Sequence, residues 1–175
     1  YTAVVIMRKF ELNEESVLVP VALAILIGII LGGLNAIAIA GFEIPTLIAT
    51  LGTAGIFRGF MLSFIGASFI SDIPLGLDNF STADLIKFES EAGTLVRLHV
   101  LVIPVALITL AVSLLLNRTI FGRSVYALGG GVESTRRLGI SVKRTQAKIY
   151  MLVGGLSGLA GILYVSLQRK ANPYD

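Results

Sequence analysis

The feature that most constrains this chain is the stretch 17–40, 24 residues in succession without one ionisable side chain. A helix rises about 1.5 Å per residue, so such a run is long enough to cross the ~30 Å hydrocarbon core of a bilayer. Three more runs share this character. Residues 44–70 form a run of 27 interrupted only by Arg58, residues 100–116 a run of 17, and residues 149–167 a run of 19. Residues 1–7 read as the tail of a fifth. None alternates apolar and polar side chains in the two-residue rhythm of a barrel strand. In lipid, a single segment satisfies its own backbone hydrogen bonds only as a helix. The expected fold class is all-α: a polytopic transmembrane helix bundle with about four full spans plus the tail of a fifth.

Composition argues the same way. Charged residues are 14% of the chain and apolar residues 55%, against about 25% charge in an average soluble protein, so a water-facing surface could not be covered. The absence of cysteine excludes a disulfide scaffold. A net charge of +3 raises the question of nucleic acid, and the placement of the charges answers it. Arg118, Arg123, Arg136, Arg137, Lys143, Arg144 and Lys148 crowd into 117–148 with one acid, Glu133. The segment 71–98 instead holds Asp72, Asp78, Asp84, Glu89 and Glu91 against Lys87 and Arg97. This is the positive-inside pattern of a membrane protein. It places 117–148 in the cytoplasm and 71–98 outside, with the lipid bilayer, not nucleic acid, as partner. The first run then goes inward, the second outward, the third inward, and the fourth returns. Gly41-Phe42-Glu43 is so tight a connection that a re-entrant or broken helix stands as an alternative there. The chain opens inside an apolar run at Tyr1 and closes just after a helix, so residues 1–175 read as a single transmembrane domain fragment, internal to a longer protein.

Small residues recur inside the runs at helical spacing: Gly28 and Gly32, Gly55 and Gly59, Gly154 and Gly158, with Ser157 and Gly161 beside the last pair. Lipid tails are as apolar as the helices, so helices associate by close backbone approach through such residues. They serve either as fixed packing contacts or as surfaces that slide in transport. The second run carries Thr46, Thr50, Thr53, Arg58 and Ser63. The threonines can bond back to their own helix. A charge in a span costs a few kcal/mol unless it finds a partner or water, so Arg58 either snorkels or pairs at the interface, or lines a polar passage. Thr50, Thr53 and Arg58 are the candidate passage residues, with Asn35 of the first run beside them.

No residue pattern points to chemistry. His99 stands alone without a second metal ligand at useful spacing, and no phosphate loop, paired intramembrane carboxylates or nucleophile elbow occurs. No catalytic residue, metal site or bound cofactor is expected. Gly154-Gly155-Leu156-Ser157-Gly158 superficially matches a nucleotide-binding signature, but it lies within a lipid-length apolar run and reads as helix packing.

The segment 117–148 is more organised than a turn requires. Gly129-Gly130-Gly131 reads as a flexible break, 132–138 as a short helix, and Gly139 as its stop, suited to the left-handed C′ position. Ser141 can cap the helix that continues through Lys148 into the membrane. The short helix is either an interfacial piece drawn to anionic lipid by Arg136 and Arg137, or a docking knob. In the second reading Ser134 and Thr135 allow close approach and the arginines set register.

Phe121-Gly122-Arg123-Ser124-Val125-Tyr126-Ala127-Leu128-Gly129-Gly130, then Arg137-Leu138-Gly139-Ile140-Ser141-Val142, Lys148-Ile149-Tyr150 and Leu156-Ser157-Gly158-Leu159-Ala160-Gly161, resembles the permease subunits of bacterial ribose-type ABC importers. Upstream, Ile44-Pro45-Thr46-Leu47-Ile48-Ala49-Thr50-Leu51-Gly52-Thr53 and Phe57-Arg58-Gly59 match a second signature in the right order. The resemblance covers about 17–173. The chain departs from the family's Asn-x-x-Ala-Ala-Arg-Leu-Ser-Gly-Ile, with Gly131 in place of the asparagine and no serine before Gly139. The resemblance implies that Val132, Glu133, Ser134, Thr135, Arg136, Arg137, Leu138 and Gly139 form the helix that couples to a separate ATP-hydrolysing subunit. That subunit would bind the ATP, and this chain would be no enzyme. A periplasmic sugar-binding protein and a second permease subunit, like or unlike, are the other implied partners, and the inner membrane the implied place. A branched-chain amino-acid permease of the same superfamily is the alternative, and an ATPase-independent channel or membrane scaffold a more distant one.

Overall fold

The computed structural model describes residues 2–9, 17–65, 84–89 and 95–170. In chain order these form α1 (Thr2–Lys9), α2 (Leu18–Ala36) ending in a π turn (Ile37–Gly41), and α3 (Thr46–Phe60) ending in a second π turn (Met61–Ile65). A hairpin follows, β1 (Asp84–Glu89) and β2 (Leu95–His99), then α4 (Val102–Arg118), α5 (Ile120–Gly130), α6 (Val132–Arg137) and α7 (Val142–Gln168). The protein is an all-α membrane bundle to which the described residues add one antiparallel hairpin. Apart from its last residue, His99, the hairpin falls within 71–98, the segment read as external. Asp72, Asp78 and Glu91 of that segment lie outside the described residues, as do residues 66–70 of the second apolar run.

Three stretches are long and apolar enough to cross a membrane: Leu18–Gly41, Thr46–Phe64 and Val142–Gln168. The third run differs from its sequence expectation. Its helix α4 has 17 residues, reaching about 26 Å, short of the ~30 Å core. It counts as a crossing only together with α5, to which it is bent by 76°. The bend is built locally. Thr119 leaves the helix in extended conformation and its hydroxyl oxygen accepts from the Gly122 amide at 3.1 Å, a side-chain N-cap. Gly122 is then pressed onto the Leu116 backbone so closely that no Cβ fits.

The centre of the fold is the antiparallel pair α2–α7. A Cβ built on Gly28 would run into the carbonyl of Gly154, one on Gly32 into that of Tyr150, one on Gly154 into that of Gly28, and one on Gly158 into that of Ala24. The numbers rise on one helix as they fall on the other. Two backbones in direct contact are the arrangement that small residues permit in lipid. Gly55, Gly59 and Gly161, which share the same spacing, have open space around their Cα atoms. At one end α1 completes a small core in which Ala3, Val4, Ala24, Ile162 and Val165 are buried together.

At the other end lies the basic segment. Gly129 and Gly130 are helical, the last residues of α5, so the break read over three glycines is confined to Gly131 with φ +151°. α6 follows and closes on Gly139, φ +75°. There the Gly139 amide donates to Arg136 O at 2.9 Å and the Ile140 amide to Thr135 O at 3.3 Å, the paired bonds of a Schellman stop. Ser141 occupies the N-cap position of α7 without a side-chain capping bond.

Candidate functional site

Helical periodicity decides what α3 shows to the α2–α7 pair. At about 100° per residue, Thr46, Ala49, Thr50, Thr53 and Phe57 share one stripe, and this stripe faces inward. Ala49 is buried. The Tyr150 hydroxyl of α7 donates to Thr46 Oγ1 at 3.2 Å, and the Thr53 hydroxyl donates to Asn35 Oδ1 of α2 at 2.5 Å. Most other α3 side chains are exposed, so these two polar contacts are the main moorings between α3 and the glycine-paired helices. The Thr53 hydroxyl has one proton and a second acceptor within reach, Ala49 O at 2.9 Å in its own helix. The same hydroxyl can therefore serve either the interhelical or the intrahelical bond.

Between the three helices lies a cavity of about 520 Å³. Asn35, Thr50, Tyr150, Ser157 and, from α1, Thr2 give it polar atoms, while Phe57 and Leu31 give apolar wall, and no charged side chain lines it among the described residues. Of the four passage candidates, Asn35 and Thr50 line the cavity and Thr53 holds Asn35 from behind. Arg58 does not line it. It sits about 120° round α3 from the stripe's centre, exposed in the last helical turn. Sequence reasoning misses the polar role of Tyr150 and Ser157. A signal for it exists: both lie at helical spacing with Gly154 and Gly161, on the α7 face that approaches α2.

Asn35 stands two residues before the π turn of α2, where the Phe42 amide reaches Ile37 O at 3.2 Å. Such turns mark strained or functional points in helices. After it, Glu43 adopts φ +58° and its carboxylate meets Lys143 Nζ at 3.0 Å. The lysine's hydrogen bond and charge, with Arg136 adding a smaller contribution, hold the Glu43 carboxyl below the usual carboxylate range. The α2–α3 connection therefore sits at the same end as α6 and the start of α7.

In α6 the eight coupling candidates divide. Thr135 is fully buried, and its hydroxyl donates to Gly131 O at 2.7 Å. Its side chain is therefore packed inside the protein and is not presented at the surface of α6. Ser134 is exposed and also bonds Gly131 O, at 2.9 Å. Val132, Glu133, Arg136, Arg137 and Leu138 project outward, with Leu138 70% exposed, and Glu133 reaches Arg137 at 3.9 Å. Leu138 thus stands exposed among charges at the end of this short helix, and Gly139 supplies the turn behind it.

Comparison with known proteins agrees with this architecture. The family described as branched-chain amino acid transport system / permease component matches residues 1–175. Among curated proteins, the autoinducer 2 import system permease protein LsrC of Yersinia pestis (strain Pestoides F) is 35% identical over 143 residues, covering 82% of this chain and 38% of that protein. LsrC of Yersinia enterocolitica serotype O:8 is 36% identical over 143 residues, 82% of this chain and 37% of that protein. LsrC of Salmonella paratyphi B is 33% identical over 143 residues, 81% and 38% respectively. The chain thus spans well under half the length of the curated relatives it matches. No solved structure matches. With the match extending over every residue and the helices long enough to cross a bilayer, this multi-pass membrane chain belongs to that permease-component family.

Proposed function

We propose that the chain is the membrane-spanning, motor-coupled part of an ATP-driven importer permease in a bacterial inner membrane. The reading rests on one observation above others: α6 is presented as a rigid knob. Buried Thr135 and the Schellman stop fix it, while Leu138, Arg136 and Arg137 face outward. A separate ATPase subunit, which binds the ATP, grips this knob, and this chain carries out no chemistry. Displacement of α6 passes through Ser141 into α7 and, because the glycine contacts tie α7 to α2, moves both helices as one body. The Glu43–Lys143 pair carries the same displacement to the α2–α3 connection. α3, moored mainly by hydroxyl bonds at Thr53 and Thr46, then shifts against that body and opens the cavity to alternate sides. A second permease subunit supplies the other wall.

The solute is a neutral hydroxylated molecule such as a sugar, delivered by a periplasmic binding protein. The relatives named for autoinducer 2 import support a small-solute importer. The family's branched-chain amino-acid description favours the second reading. The cavity argues for the first: an amide and four hydroxyls can bond a polyol, whereas a zwitterion buried without a charged partner is costly. Uptake of labelled ribose, autoinducer 2 and leucine by the intact transporter tests the choice, and leucine uptake alone overturns it. Changing Leu138→Asp tests the coupling. ATPase association and uptake are both expected to fall at least tenfold, and undiminished values contradict the assignment.

A further inference from the structure

The helix α4 lies off the route from α6 through α7 to α2, and its joints give it a part in the motion. Among the described residues α4 packs chiefly on α5 and not on the α2–α7 pair, so its direction is set where those two helices meet. One side chain sets it. The Thr119 hydroxyl donates to Leu115 O in the last turn of α4 at 2.6 Å, and accepts from the Gly122 amide in the first turn of α5 at 3.1 Å. A single group thus serves a carbonyl where one helix ends and an amide where the next begins, both ends that need outside partners. Behind it, Gly122 rests on the Leu116 backbone with no room for a Cβ. The backbone contact resists closing the 76° bend, and the two hydroxyl bonds resist opening it.

The joint between α5 and α6 is held in a similar way. The Gly131 amide donates to Leu128 O of α5 at 3.3 Å. Its carbonyl accepts three bonds from α6: the Ser134 hydroxyl at 2.9 Å, the Thr135 hydroxyl at 2.7 Å and the Thr135 amide at 3.1 Å. The joint from α6 to α7 is different. Beyond the two Schellman bonds, Ser141 makes no side-chain capping bond to α7, so this joint passes a pull but holds the angle less tightly. We infer that α4, α5 and α6 move as one bent lever, so that displacement of α6 by the motor tilts α4 against the α2–α7 body. The inference rests on the motor-coupled reading of α6, and it makes Thr119 a positioning residue that acts through the bend. The lever amplifies. With 17 residues, α4 is about 26 Å long, so a rotation of about 10° at the elbow carries its far end roughly 4.5 Å.

The test is double electron–electron resonance between spin labels in the assembled transporter. Labels at Ile103→Cys and Tyr126→Cys, both exposed, report the elbow. They stand about 28 Å apart at the 76° bend and about 35 Å apart along an unbroken helix. This distance should be the same with and without ATP–vanadate trapping, while that between Leu107→Cys of α4 and Met151→Cys of α7 shifts by several Å. Thr119→Val keeps the side-chain volume and removes both hydroxyl bonds, each worth about fivefold in an equilibrium. The bent form should therefore lose about 25-fold, and a second peak near the unbroken-helix distance should appear; Thr119→Ser should keep the single peak. Solute moved per ATP hydrolysed should fall in Thr119→Val and recover in Thr119→Ser, with ATPase association unchanged. If Thr119→Val fails to fold, the trapping experiment on the parent chain still decides. An elbow distance that changes on trapping, a fixed α4–α7 distance, or a single unshifted peak in Thr119→Val each overturns the lever. An ATPase that never binds overturns the motor-coupled reading instead, whereas the Thr119→Val peak, read in the permease alone, tests the elbow separately.

Discussion

Replacing Gly154 by alanine places a Cβ 2.9 Å from the Gly32 Cα and closer still to the Gly28 carbonyl. Carbon atoms in contact sit about 3.5–4.0 Å apart, so the two backbones must separate by about 1 Å to admit one methyl group. Backbone has no rotamer to turn aside, and overpacking of this kind costs about 1–3 kcal/mol. Gly161→Ala is the internal control. It lies on the same helix and in the same small-residue pattern, but nothing comes within 4 Å of its Cβ position. There the alanine relieves the helix of glycine's entropy cost, a gain of about 0.5–1 kcal/mol. The two variants should therefore differ by about 1.5–4 kcal/mol in reversible SDS-induced unfolding followed by far-UV circular dichroism. Equal midpoints would refute the claim that α2 and α7 meet backbone to backbone.

Two further outcomes follow from the polar contacts. In a double-mutant cycle, Asn35→Ala and Thr53→Val should be non-additive, with a coupling energy toward the upper end of the roughly 0.6–1.7 kcal/mol found for hydrogen bonds in membranes; additive effects would contradict the interhelical bond. The Glu43 carboxyl, lowered chiefly by Lys143, should titrate below a free glutamate by NMR and return toward it in Lys143→Met. Because its folded pKa is depressed, the pair's contribution is present above the ordinary carboxylate pKa and fades as pH falls through the lowered one. A titration unchanged by the substitution would show that no such pair forms.

The spans are readable because charge-free length is a direct physical requirement of crossing lipid. Facing is harder to read. A helix in lipid is apolar on every side, so no polar stripe tells inside from outside, and spacing alone puts Gly55, Gly59 and Gly161 level with Gly28, Gly32, Gly154 and Gly158. What separates them is whether another backbone arrives, a tertiary fact. Arg58 draws attention as an intramembrane charge, yet the threonine stripe that excludes it from the cavity is in the same helix, legible by angle. The Gly139 stop is legible too, since few residues other than glycine take φ +75° cheaply. The burial of Thr135 is not, because a threonine beside two arginines looks like surface. The 76° bend at Thr119 falls just past the third apolar run, after Asn117 and Arg118, where the capping geometry sets an angle that hydropathy does not give.

The most direct test of the motor-coupled reading is site-specific photo-crosslinking in the assembled transporter. A photoreactive residue at Leu138, at the tip of the knob, should yield an adduct with the nucleotide-hydrolysing subunit, and one at Leu107, exposed along α4, should not. Adducts absent from Leu138, or equally abundant at both positions, would contradict the proposal that the motor takes hold of this protein at α6.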